Sequence, residues 1–260
     1  IKTQVGVYDL FMETKNDSSA SWYTFCPYEV KEKLDIELYS VFGEPFAHAY
    51  SACVDAYKAG KLKVVRVFNA KELWKKVMKV QFETGMPYVA FLDEINKHNP
   101  NKHMGDIPCV NLCVESFSVV VPDALMHTCN LASLVVGRIP TDELIKYARL
   151  TTRILDNGIE LTSSPVDESN VHNKMFRTIG VGQQGYADIV ARENKSFLNL
   201  EFASDVSEMI QYGCVQESIL LAKERGAYPA YIGSEWHNGN KMRVYKEKGK
   251  LDWQSLEDEM

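Results

Sequence analysis

The sequence has no apolar run long enough to cross a membrane. Its longer ones, such as FSVVV at Phe117–Val121, fall far short of the ~20 residues a span requires. It has no excess of positive charge either: 29 lysines and arginines stand against 35 aspartates and glutamates, a formal net charge of -6. No basic stripe is offered to nucleic-acid phosphates, so direct nucleic-acid binding is not expected. Six cysteines in 260 residues do not make a disulfide scaffold. Reduced thiols in a cytoplasmic protein are the expectation, and any disulfide would be catalytic rather than structural. Repeats, low-complexity linkers and a charged segment leading into an apolar h-region are all missing. So is an initiator methionine. The chain opens IKTQVGVYDLF and closes GKLDWQSLEDEM inside a helical pattern, which leads us to expect a piece of a larger enzyme.

What is present is ordinary globular composition, 45% hydrophobic and 25% charged. VYDLFMETK reads as the start of an amphipathic helix and NDSSAS as a polar turn. FGEPFAHAYSACVDAYKAGK carries apolar residues at helical spacing, with Gly60 as a C-cap. VVRVFNAKELWKKVMKVQFETG predicts a short strand, an Asn69 N-cap and a helix stopped by Gly85. MPYVAFLDEIN is too short to assign, and NKHNPNKHMGDIP reads as a loop. CVNLCVESFSVVV has strand-like content in its second half, and CNLASLVVG predicts a buried strand. TDELIKYARLTTRILDNGIEL predicts a helix capped by Thr141. RTIGVGQQGYADIVARE reads as strand, glycine turn and helix, and Phe202 to Gly226 as another long helix. Helices between short buried strands indicate an α/β architecture.

Three clusters invite chemistry. Gly180, Gly182 and Gly185 spell G-x-G-x-x-G between an apolar stretch and a helix. In a dinucleotide fold this turn cradles a pyrophosphate, but no clean βαβ unit follows. Close packing of a helix on a strand is the preferred reading. His98, His103 and His127 flank a C-x3-C pair, Cys109 and Cys113. Zinc needs a second pair with matching spacing, which is absent, so no metal is assigned and these histidines read as solvated loop residues.

The third cluster is CVNLCVES, Cys109 to Ser116. In an extended segment Asn111, Cys113 and Glu115 would share one face, because the strand period is 2. A carboxylate beside a thiol disfavours the thiolate. That is not the setting of a nucleophilic cysteine, which needs a histidine or a helix N-terminus. A thiol kept neutral beside a carboxylate suits one-electron chemistry. A small buried hydrophobe is the alternative, and spacing alone favours it.

NLCVE, followed sixteen residues after Cys113 by CNLASL, resembles the active-site core of the ribonucleotide reductase large subunit. DLFM at Asp9–Met12, FCPYEV at Phe25–Val30 and ETGMPYVAFLDEINKHNPNKHMGDIPCVNLC at Glu83–Cys113 continue the likeness in order. TIGVGQQGYAD at Thr178–Asp188 and LAKERGAYPAY at Leu221–Tyr231 extend it. The resemblance implies that residues 1–260 are one segment of a ten-stranded α/β barrel built from two halves, with a central finger loop at about 105–120. It implies Cys113 as the radical cysteine that takes the hydrogen from C3′ of the ribose. Glu115 would be general base on the 3′-hydroxyl, and Asn111 would hydrogen-bond the ribose hydroxyls. Cys129 would be one of two cysteines that deliver reducing equivalents, and Leu131 would line the substrate pocket. Burial of the site follows, because a thiyl radical must be kept from water.

The same resemblance implies what lies elsewhere. The partner of Cys129 would stand upstream, and none of Cys26, Cys53, Cys109 or Cys214 occupies its position. The phosphate-gripping loop and radical-relay tyrosines would follow Trp253, and the effector loops and ATP cone would precede Ile1. No cofactor is expected in this chain. The radical would come from a small subunit with a metal–tyrosyl centre in preference to cobalamin. Complementary large-subunit segments and thioredoxin or glutaredoxin as reductant complete the expected partners. Two other readings stand beside it: a non-catalytic barrel fragment kept for assembly or binding, and a thiol–disulfide protein using Cys109 and Cys113. A barrel segment alone would expose strand edges. The chain expressed by itself is therefore expected to aggregate or unfold readily. A monodisperse, cooperatively unfolding monomer on size-exclusion chromatography and denaturant titration would count against the fragment reading.

Overall fold

Sheet is sparse in the computed structural model, which describes residues 3–260: its strands form three separate pairs. The chain divides into two units, one holding the described residues up to Asn99 with Asp106–Val120, the other Pro100–Gly105 with Val121–Met260.

In the first unit the order is β1 (Gln4–Val7), α1 (Asp9–Thr14), β2 (Ser21–Phe25), α2 (Pro27–Leu34), α3 (Gly43–Lys58), β3 (Val65–Asn69), α4 (Ala70–Thr84), β4 (Tyr88–Phe91) and α5 (Leu92–Lys97). β1 runs parallel to β4, with Gln4 opposite Tyr88 and Val7 opposite Phe91. β2 runs antiparallel to β3 from Ser21–Asn69 to Phe25–Val65. The start and stop of α4 are those the sequence predicts. The Asn69 side chain accepts the Glu72 amide at 3.0 Å, and Gly85 ends the helix at φ 74°. β1 was not foreseen; QVGV is too short to show a period and becomes a strand only by pairing with β4.

Two carboxylates organise this unit. Buried Asp93 on α5 accepts the Asp9 amide through Oδ2 and the Gly43 amide through Oδ1, both at 2.7 Å. One side chain thus satisfies orphan amides at the starts of α1 and α3. Burial, with the Asp93 charge nearby, pushes the Tyr8 phenol up to about 12. Glu29 on α2 accepts from Lys33 Nζ at 2.7 Å, from the Val64 amide at 2.8 Å and from the Lys63 amide at 3.0 Å. The Lys33 ammonium first, then the Val64 and Lys63 amides, bring the Glu29 carboxyl down to about 2. Glu29 thereby ties α2 to the entry of β3.

The second unit continues with β5 (Leu131–Val135), α6 (Leu144–Leu161), α7 (Asp167–Phe176), β6 (Gly180–Gln184), α8 (Tyr186–Arg192), α9 (Leu200–Arg225), α10 (Asn240–Lys248) and α11 (Trp253–Asp258). β5 and β6 are parallel, with Leu131 opposite Gly180. Their core is Leu134, Val136, Leu144, Ala148, Ile189, Val206 and Ile210. Along α9, Gly213 meets α6 so closely that an added Cβ would lie 2.5 Å from the Ile145 carbonyl oxygen. Next to that contact buried Glu217 binds Arg149 at 2.9 Å and Arg153 at 2.5 Å, both from α6.

The glycine motif is close packing, but against side chains of the neighbouring strand β5 rather than the packing of a helix on a strand that the sequence reading preferred. Gly180 and Gly182 lie inside β6, where added Cβ atoms would meet Leu131 Cδ2 at 2.5 Å and Ser133 Oγ at 2.9 Å. Gly185 supplies the φ of 76° that turns the strand into α8.

Three expectations need correction. The second half of CVNLCVESFSVVV forms no strand; among the described residues its β pairing is limited to an isolated Val121–Leu125 bridge. Thr141 does not cap α6 but opens a 3-10 turn, Thr141–Glu143, and its hydroxyl donates to Glu193 Oε1 at 2.6 Å. The strand in CNLASLVVG is only half buried: Leu134 is 6% exposed, Leu131 43%.

Two predictions follow from these contacts. Gly213→Ala should destabilise natively purified protein by ~1–3 kcal/mol through overpacking at the α6–α9 crossing, read as a lowered denaturation midpoint with unchanged slope. The depressed Glu29 pKa contributes stability that is fully present above its ordinary 4.5 and lost as pH falls towards about 2. Glu29→Gln should therefore flatten the pH dependence of unfolding in that window; an unchanged profile would remove Glu29 from the acid transition.

Candidate active site

Residues Asp106–Val120 form a loop with no helix or strand of its own, closed at its neck by the Val120 amide on the Asp106 carbonyl at 3.4 Å. Ile107 at its entry is fully buried, and its amide and carbonyl both bond to the side chain of Asn96. The Val110 carbonyl accepts from Gln4 Nε2 at 3.0 Å.

From Asn111 the chain does not run extended, as the sequence reading had it, but turns. The Val114 amide donates to the Asn111 carbonyl at 3.0 Å, and Val114 has φ +60°. Left-handed backbone is uncommon for any residue with a Cβ, and more so for a β-branched one. Asn111 pins the turn. Its Oδ1 accepts the amides of Glu115 at 3.1 Å and Ser116 at 3.0 Å, and its Nδ2 donates to Glu115 Oε1 at 2.5 Å. Asparagine competes for backbone groups in this way where no strand partner offers a ladder. Asn111 and Glu115 are thus brought together across four residues of turn rather than along one strand face. Cys113 lies in the turn between them and is exposed. The buried site expected from radical chemistry is therefore not found at Cys113 in this chain.

Cys129 and Leu131 belong to the second unit. Cys129 is exposed, just before β5. Its two neighbours are tied to α7: Thr128 Oγ1 donates to Asn173 Oδ1 at 2.7 Å, and Asn130 Nδ2 donates to the same atom at 3.0 Å. Asn130 Nδ2 also reaches the Thr178 carbonyl at 3.1 Å, and the Gly180 amide donates to the Asn130 carbonyl at 2.9 Å. Leu131, two residues on, lies over Gly180. Asn96, Gln4, Asn130 and Asn173 were not singled out from the sequence. Only an alignment of the loops on their supporting elements reveals them, since each is one asparagine or glutamine among many.

The histidines part company. His98 is exposed and meets Glu94 Oε1 at 2.8 Å. His103 is exposed. His127 corrects the expectation of a solvated loop residue: it is half-buried, its ring 5.0 Å from that of fully buried His172. Among the described residues no three His, Cys, Asp or Glu side chains converge in a way that could hold a metal ion. No helix among them is long and apolar enough to cross a membrane.

Comparison with known proteins agrees with the motif. The chain is 45% identical over 218 residues to the ribonucleoside-diphosphate reductase subunit alpha of Synechocystis sp., covering 84% of this chain and 28% of that one. It is 34% identical to the Treponema pallidum subunit alpha, over 97% of this chain and 33% of the relative. Against the ribonucleoside-diphosphate reductase large subunit of Variola virus it is 32% identical, over 89% of this chain and 30% of that subunit. The chain thus spans a third or less of the length of these relatives. The family model described as "Ribonucleotide reductase, barrel domain" matches residues 1–260, and the chain belongs to that family.

Proposed function

We propose that this chain supplies the radical-chemistry centre of a ribonucleoside-diphosphate reductase large subunit, acting with complementary segments of that subunit. The observation that carries the reading is the turn in which Asn111 and Glu115, hydrogen-bonded to each other, bracket Cys113. Replacing a ribose C2′–OH by C2′–H takes two electrons and two protons and releases water. A pair of thiols going to a disulfide supplies both. Cys113, as a thiyl radical, takes the hydrogen atom from C3′ and becomes a thiol, which leaves a carbon radical activated towards loss of the 2′-hydroxyl; once C2′ is reduced, the thiol returns the hydrogen atom to C3′ and the thiyl radical is regenerated. Glu115 takes the proton of the 3′-hydroxyl, and Asn111 donates to the ribose hydroxyls. Cys129 is one of the two thiols that are oxidised, and Leu131 lines the pocket for the nucleotide.

The chain's own residues bind the ribose, move its protons and supply the reacting thiols; the radical originates from a small subunit with a metal–tyrosyl centre. Thioredoxin or glutaredoxin resets the disulfide. The exposure of Cys113 fits this division, because the shielding a thiyl radical requires is then supplied by the complementary segments.

Natively purified material, assayed for deoxyribonucleotide formation with a radical-generating subunit, tests the reading. Turnover should appear only in preparations that contain further large-subunit segments. Cys113→Ala should abolish it, and Glu115→Gln should lower kcat by ~10²–10⁴-fold, the range for loss of a general base. A solitary chain with no turnover under any radical source would instead make the non-catalytic barrel fragment the leading reading.

A further inference from the structure

Asn96 stands on α5, outside the residues given a chemical role above, and is only 6% exposed. Its carboxamide makes three hydrogen bonds, two of them to one residue. Oδ1 accepts the Ile107 amide at 2.7 Å, and Nδ2 donates to the Ile107 carbonyl at 3.0 Å. Nδ2 also donates to the Leu92 carbonyl, one turn back on the same helix, at 2.9 Å. The side chain therefore offers Ile107 the paired donor and acceptor that a neighbouring strand would offer. Ile107 is fully buried, so without Asn96 both its backbone groups would lie away from water with no partner, which is costly.

We propose that Asn96 is a positioning residue for the Asn111–Cys113–Glu115 turn. It fixes the entry of the loop to α5 six residues before Cys113. The inference rests on the reading of that turn as the reaction centre. Downstream of Ile107 the next tie is the bond from Gln4 to the Val110 carbonyl, and the turn then closes on Asn111 itself. Release of Ile107 removes the tie that holds the loop's entry to α5. A misplacement of ~1 Å at a reacting atom can cost ~10²-fold in rate, so the tie is expected to act on turnover and not only on stability.

Asn96→Asp separates these roles because its effect depends on pH. A neutral carboxylic acid can donate to the Ile107 carbonyl and accept from the Ile107 amide; a carboxylate cannot donate, and burial raises the pKa at which it forms. The variant should therefore hold both backbone groups of Ile107 at low pH and lose its tie to the Ile107 carbonyl at high pH. Hydrogen exchange of natively purified protein gives the first readout. In the wild type the Ile107 amide should be protected as strongly as the β1–β4 amides. Exchange at the rate of an open loop would overturn the proposal without any variant. In Asn96→Asp near pH 8, peptides covering 106–120 should exchange about tenfold faster or more than wild type, converging near pH 6, with α6 and α9 peptides unchanged.

Steady-state turnover gives the second readout. The kcat of the variant should fall by ~10–100-fold near pH 8 with KM for the ribonucleotide shifted no more than about threefold, and the ratio to wild type should recover on acidification. A loosened loop with kcat per folded enzyme unchanged would show Asn96 to be structural only, and would overturn the proposal. Failure of the wild type to turn over would sink the reading of the reaction centre, while the exchange data would still decide whether Asn96 holds the loop.

Discussion

A loop without strand or helix can keep one shape only if its backbone amides and carbonyls find partners, and here carboxamide side chains supply several of them. Asn96 takes both groups of Ile107, Gln4 takes the Val110 carbonyl, and Asn111 takes the amides of Glu115 and Ser116. A carboxamide presents a donor and an acceptor about as far apart as those of a peptide unit, so it can stand in for a missing strand at a single position. It does so without a charge, which matters where the site is buried: a carboxylate would need a cation or several donors to remain there. In the second unit carboxamides act differently: Asn173 Oδ1 accepts from the side chains of Thr128 and Asn130, the two neighbours of Cys129, and Asn130 Nδ2 also donates to the Thr178 carbonyl. Both segments that carry candidate chemistry are therefore tied by uncharged side chains, some from the segments themselves and others, Asn96, Gln4 and Asn173, from helices and a strand.

Charged side chains are used elsewhere, for joining elements. Asp93 caps two helices, and Glu29 ties a helix to a strand through an ammonium and two amides. In the second unit, Glu217 is buried against two arginines of α6, one of which also binds Glu224 through both guanidinium Nη atoms. Such networks fix register between α6 and α9 beside a glycine contact that already demands one spacing. Each carboxylate has several donors, which is the condition under which burying it is tolerable.

How much of this could be read from the sequence depended on whether the cause was local. The helix α4 was legible at both ends because Asn69 and Gly85 act within one turn of the helix. The long helix α9 was legible to its last turn for the same reason at Gly226, and lost only two residues at its start, where Asn199 caps it. β1 was not legible, since four residues acquire a strand conformation only from β4, more than eighty residues away. The glycine motif was legible as packing but not in detail, because which side chain fills each gap, Leu131 or Ser133, is set by the parallel register with β5. For the candidate site the motif pointed to residues whose roles are those proposed above. Their arrangement was not legible: the period-2 argument presumes a strand, and a strand presumes a neighbour that Asn111–Ser116 does not have.

The turn that replaced the strand divides the atoms of Asn111 between two tasks. Its Oδ1 is committed to two backbone amides, and one Nδ2 proton goes to Glu115 Oε1. An amide nitrogen carries two protons and a carboxylate two oxygens. The second Nδ2 proton and Glu115 Oε2 therefore remain as a donor and an acceptor side by side, which is the pairing a hydroxyl group asks for. The oxygen of the amide stiffens the loop, while its nitrogen faces the Glu115 carboxylate. Stiffness is needed at this point, since Val114 holds a left-handed conformation that a β-branched residue adopts only when its surroundings impose it. Backbone strain of this kind, fixed by the same side chain that offers the donor, keeps Cys113 and Glu115 in one relation to whatever that donor binds.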